Sequence, residues 1–259
     1  MSEKQKKKTA ALVVTAIVLA LVCGLLIGLL LPKIKTVRLF RGSDTVRCAE
    51  RNYTVSQTTF AYHYWTEYYY FSDVYGEYLG TMFNRDKPLS EQQYSETQTW
   101  QDYMIERTVT TIREMSSMVF AAEDAGYTMS EDTQKALADV EQGFRDAAQQ
   151  QGFSSLDAYL VESYGSGAEE ASFFAYLSDA HLAADYAEYL KNRISPDEQT
   201  VSAYYEAHKD AYADEENPLE AAKSDFIDEE YRNVFLSITE AYAFEVDYEN
   251  IAAAIAKAD

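Results

Sequence analysis

The chain predicts a mostly α-helical protein: one N-terminal transmembrane helix, then a helical domain with room for a minimal β-strand pairing. Three observations predict it. Residues 9–31 contain no charge. Beyond residue 56, apolar residues recur at intervals of three and four behind Ser and Thr caps. The 259 residues hold only ten glycines and four prolines, too few for a turn-rich sandwich or propeller.

The charge is uneven. The formal net charge is −21, but residues 1–43 carry eight Lys/Arg and one acid. Residues 44–259 therefore hold 42 acids against 14 bases, an excess of 28 negative charges. Nucleic acid is excluded as a partner, since neutralising phosphates requires basic patches. The uncharged run from Thr9 to Leu31 would span roughly 35 Å as a helix, enough to cross a hydrocarbon core. Pro32-Lys33-Ile34-Lys35 follows it directly, without the small-x-small site of a cleaved signal peptide. The reading is a basic cytoplasmic tail at 1–8, an anchor at 9–31 and a juxtamembrane linker at 32–44. Lysines and arginines flank the run equally, so charge does not set its orientation. The very short tail favours a cytoplasmic N-terminus. The expected localisation is thus the cell membrane, single-pass, with the large domain extracytoplasmic. Cys48 is the one cysteine beyond the anchor, so no disulfide can form within the domain.

The elements follow in order. Thr45–Cys48 and Tyr53–Val55 are β-prone pieces around a turn at Glu50-Arg51-Asn52. Ser56 caps a helix to about Tyr78, with Phe60, Tyr64, Tyr68, Phe71 and Tyr75 on one face. Residues 80–95 read as a loop. Thr99 and Asp102 form a capping box for a helix carrying Trp100, Tyr103, Met104, Ile112, Met115 and Val119, ended by Gly126. Ser130 starts the next helix, which buries Leu137, Val140 and Phe144 and runs to Gly152. Ser154 with Asp157 opens a short helix from Leu156 to Tyr164. A long helix spans about 168–194. Ser195-Pro196-Asp197-Glu198 starts another, reaching about Tyr212, with Ser195 as the cap. Asp214 to Pro218 breaks the chain, and one or two helices follow. Tyr242, Phe244 and Val246 alternate with polar or small residues, the period of a strand, and would lie beside the pieces near residue 46.

The punctuation Ala125-Gly126-Tyr127-Thr128-Met129-Ser130-Glu131, then Gly152-Phe153-Ser154-Ser155-Leu156-Asp157-Ala158-Tyr159-Leu160, then Tyr164-Gly165-Ser166-Gly167, resembles one family. It is the N-terminal chaperone module of SurA-like and PrsA-like extracytoplasmic foldases. Thr99–Tyr103, the tyrosine-rich first helix and Ser202–Asp210 fit the same order. The resemblance covers about residues 46–212 and implies a helical module at 45–212 that holds unfolded clients. It also implies a C-terminal segment, 213–259, that packs back on the module. The parvulin isomerase domain that often follows is missing: the residues after Asp210 contain no glycine and no histidine. Prolyl isomerase activity is therefore not expected.

The chemistry of the chain points to binding. Eight of its 22 tyrosines lie between Tyr53 and Tyr78. A helix aromatic all round must bury two faces or expose one. Tyr62, Trp65, Tyr69 and Tyr70 are candidates for a groove that takes extended polypeptide, with Met104, Met115 and Met118 as an adaptable extension. For the methionines, ordinary core filling is the competing reading. No HExxH, CxxC, P-loop, GxGxxG or GxSxG occurs. No catalytic residue, cofactor or metal is expected. The leading expectation is a non-catalytic, chaperone-like protein that binds non-native polypeptide clients during folding or secretion. A scaffold for one folded cell-envelope partner comes second and a residual isomerase third.

Overall fold

A computed structural model describes residues 44–79, 83–84 and 86–256. Strand β1 (Asp44–Cys48) turns back through a single 3-10 turn into β2 (Tyr53–Ser56). Asn52 makes this turn in the left-handed region at φ 48°, which its short polar side chain tolerates. Helix α1 (Gln57–Leu79) leaves β2 directly, and Ser56 Oγ accepts the Thr59 amide at 3.0 Å as its cap. Then come α2 (Trp100–Asp124), α3 (Glu131–Gln150), α4 (Leu156–Tyr164), α5 (Glu170–Asn192), α6 (Glu198–Ala207), α7 (Pro218–Glu240), strand β3 (Glu245–Val246) and α8 (Tyr248–Ala256).

The sheet has the antiparallel order β2-β1-β3. Val46 pairs with Val55 on one side and Val246 on the other, so the alternation at 242–246 places its strand against the first one. Asn250 of α8 donates to the Asp44 carbonyl at 2.9 Å, and Gln57 of α1 donates to the Asn250 carbonyl at 3.1 Å. These bonds lock the last helix over the sheet and the start of α1.

Three apolar clusters share the molecule. The first joins the sheet (Val46, Val55, Val246), α1 (Phe60, Tyr64, Phe71), α2 (Trp100, Met104, Ile112) and α8 (Ile251, Ile255). The second lies on another face of α1, where Tyr62 meets Leu160 and Tyr164 of α4 and Phe173 and Tyr176 of α5. The third joins Met115, Met118 and Val119 of α2 to Tyr186 of α5 and to Tyr231 and Phe235 of α7. Helix α1 thus resolves its aromatic crowding by burying two faces.

Several boundaries move for local reasons. Helix α4 is capped by Ser155, whose hydroxyl accepts the Ala158 amide at 3.1 Å, and not by Ser154. Asp157 accepts the Glu170 amide at 2.7 Å and so serves the start of α5. Asp197, not Ser195, caps α6, accepting the Thr200 amide at 2.7 Å. That helix stops at Ala207, and a 3-10 turn carries the chain to Tyr212.

The expected membrane-crossing helix has to be corrected. No helix among the described residues is long and apolar enough to cross a membrane. Helices α1 and α2 have the length, at 23 and 25 residues, but carry acids and bases along it, from Glu67 and Asp73 to Arg107 and Glu114. The proposed anchor at 9–31, with its flanks at 1–8 and 32–43, lies outside the described residues. The fold is a mostly helical one with a three-stranded sheet. The single-pass localisation built on the anchor is withdrawn with it.

Candidate functional site

Of the residues expected to line a groove, four belong to the interior. Tyr62 is fully buried, its ring edge-on to Tyr164 and Phe173. Its hydroxyl accepts the Glu169 amide at 3.0 Å and lies 2.8 Å from Ser172 Oγ. Tyr62 therefore satisfies the start of α5, whose N-cap Glu169 has no side-chain cap of its own. Met104 fills the sheet-side cluster, and Met115 and Met118 fill the cluster with α5 and α7. Their spacings of eleven and three put them on the inward stripe of α2, so the core-filling reading holds for all three.

The other three stay near the surface. Tyr70 and Trp65 are partly buried, and the Trp65 indole N–H is shut from solvent with no acceptor. Tyr69 is 44% exposed, and its hydroxyl donates to the Ser163 carbonyl of α4 at 3.2 Å. That bond ties the half-exposed residue to α4. Burial is the main cause that raises the Tyr69 phenol above its ordinary range, so it stays neutral.

Tyr69 is one end of a run of rings. It lies 6.0 Å from Trp65 and 5.6 Å from Tyr68, and Tyr68 lies 6.2 Å from Phe83. Phe83 meets Trp100 at 5.3 Å, and Trp100 meets Tyr94 at 4.8 Å. Tyr94 stacks on Tyr103 with centroids 4.2 Å apart and is 37% exposed. Such edge-to-face and offset contacts each contribute about 0.5–1.5 kcal/mol beyond burial, which makes the run stiff. The two ends of the run, Tyr69 and Tyr94, are exposed, while its middle, Phe83 and Trp100, is buried in the core and braces them.

The Tyr94 end sits on a loop, and the loop has its own clamp. The Gln92 side chain donates to the carbonyls of Asn84 at 2.8 Å and Lys87 at 2.7 Å and accepts the Asn84 amide at 2.7 Å. The Tyr94 amide donates to the Gln98 carbonyl at 2.9 Å. Sequence reasoning passed over Tyr94 and Phe83 because period-based reading has nothing to say about a loop. The density of aromatics on either side of the loop was the available signal.

Elsewhere the molecule offers little chemistry. A cleft of about 270 Å³ is lined mainly by small residues, among them Ser56, Thr58, Ser166 and Gly167, with Tyr164 as its one titratable side chain. His63 is buried and pushed down to about 3 by that burial. The Nδ1 atoms of His181 and His208 lie 2.8 and 2.9 Å from carbonyls four residues back. Among the described residues, no group of three or more His, Cys, Asp and Glu is placed to hold a metal ion. Cys48 is free and buried in β1. No protein-family model, curated protein or solved structure matches this chain.

Proposed function

We propose that the chain is a non-catalytic binding protein for extended or non-native polypeptide, held at the exposed rings of Tyr69 and Tyr94, which the buried rings between them brace. One observation carries this reading: a stiff run of rings ending in two exposed tyrosines. Rigid aromatics give contact area at low entropic cost, and every apolar or aromatic client side chain finds a ring face there. The resemblance of the helix punctuation to SurA-like and PrsA-like modules supports the same reading. The excess of 28 negative charges on residues 44–259 favours clients of net basic character and repels acidic ones.

The test uses the full chain with denatured clients of differing charge. Aggregation of a basic client is suppressed at near-stoichiometric ratios. Tyr69→Ala with Tyr94→Ala loses most of that suppression when both proteins are compared well below the variant's melting temperature, which falls because four ring contacts are lost with the two side chains. Suppression unchanged in the double variant sinks the proposal. A second reading, a scaffold for one folded partner, draws on the clamp that Gln92 places on the Tyr94 loop, because a preformed surface suits a single fixed shape. Co-purification separates the two: one stoichiometric partner for the scaffold, a spread of clients for the chaperone.

A further inference from the structure

The interface between α1 and α2 carries charge in its middle. Glu67 of α1 is buried, with Arg107 donating to its Oε2 at 3.0 Å and Thr111 to its Oε1 at 3.1 Å. Glu114 stands seven residues beyond Arg107 and three beyond Thr111, on the same face of α2. Its Oε2 is closed off from solvent and has no hydrogen-bond partner, and the same is true of Nε of Arg107 and Nε of Arg113. Two carboxylates thus address the Arg107 guanidinium, and Arg113 stands by the second of them. One is served and the other is not. A neutral acid tolerates that position far better than an ion does.

We propose that Glu114 is the proton-binding element of a switch in the α1–α2 interface. With its proton on, it leaves Arg107 bound to Glu67. With its proton off, it draws Arg107 and Arg113 towards itself and loosens the hold of α2 on α1.

The groups that face it are Glu67 from α1 and Arg107 and Arg113 from α2 itself. Beyond Arg113 lie the Phe244 ring, 5.9 Å from the guanidinium, and the Tyr248 phenol of α8, which also answers to Glu106. From α5, Asp179 answers to Glu123 further along α2. Burial raises Glu114 to about 7 against the pull of both arginines, and Glu67 adds to the rise. The folded protein therefore holds this proton more tightly than the unfolded chain, where the carboxyl titrates near 4.5. The stabilisation is complete below that value and is lost as pH rises through about 7. Arg107 also lies 5.8 Å from the Tyr103 ring, which stacks on the exposed Tyr94, so its release is felt at that tyrosine.

Glu114→Gln in the full chain keeps the shape of the neutral acid and is the test. Denaturant unfolding at pH 5 and pH 8 is compared with wild type. Between those values the wild-type unfolding constant grows roughly seventyfold more than that of the variant, as carboxyl values of 4.5 unfolded and about 7 folded require. Equal pH dependence in the two proteins overturns the proposal. A second measurement needs no variant: the Glu114 carboxyl carbon and the Arg107 Nε–H resonance, followed by NMR, share one midpoint near neutrality. A Glu114 midpoint in the ordinary carboxylate range, or an Arg107 resonance that does not move with it, also overturns it.

Discussion

At the scale of single residues, side chains that look like surface chemistry often turn out to serve backbone groups. Asp185 of α5 accepts from Tyr127 Oη at 2.8 Å, Ser130 N at 2.6 Å, Ser130 Oγ at 2.8 Å and Thr133 Oγ1 at 2.6 Å. It pins the α2–α3 connection to α5. Burial works against its charge, yet the Thr133, Ser130 and Tyr127 donors hold the carboxyl below its usual range. Its stabilisation is therefore present above the ordinary Asp value and lost as pH falls through the lower folded one, opposite in sign to that of Glu114. Asp185→Ala removes an acceptor from four donors and costs about 2–3 kcal/mol, measured by denaturant unfolding at pH 7. Tyr62 makes the same point. Its place on a tyrosine-rich helix was legible, but the Glu169 amide it satisfies lies 107 residues away and leaves no mark in local sequence.

Helices and their caps were the most legible level, because capping is local chemistry. The Thr99–Asp102 box forms as its residues suggest. After α2, the Gly126 amide bonds to the Glu123 carbonyl and the Tyr127 amide to Ala122, with Gly126 at φ 62°. After α3, Gly152 and Phe153 repeat the arrangement on Gln149 and Ala148. A Cβ on Gly126 meets no atom within 4 Å, so Gly126→Ala is strained by its backbone alone. It costs about 1 kcal/mol, read from the unfolding midpoint. Caps next to a second Ser or Asp were less legible. Ser155 takes the role from Ser154, and Asp157 is turned towards α5 by tertiary contact. Loops were least legible of all. Gln92→Ala frees the backbone at Asn84 and at 86–92, and amide hydrogen exchange there rises by an order of magnitude or more while the helices keep their protection.

For the molecule as a whole, composition foretold helix but not how the helices share their cores. The aromatic surface of α1 was visible in the sequence. Which rings stay outside was decided by α4 and α5 arriving on one face and α8 on another. Charge acts at this scale as well. Exposed pairs such as Lys209–Glu206 contribute about 0–1 kcal/mol each and are screened by salt. Self-repulsion among 28 excess negative charges is screened too, and it outweighs the few bridges. Added sodium chloride up to about 0.5 M therefore raises the denaturation midpoint, checked by urea titration, because urea is uncharged.

The position of β1 between β2 and β3 has a consequence for synthesis. Its first neighbour follows within ten residues, whereas Val246 lies 200 residues downstream of Val46. At a translation rate of about 5–20 residues per second, the ribosome needs roughly 10–40 s to deliver that second partner. Throughout that interval the nascent sheet presents an open edge, and the side of α1 later covered by Ile251 and Ile255 stays bare. A protein proposed to shelter unfinished chains thus spends the longest part of its own birth as one.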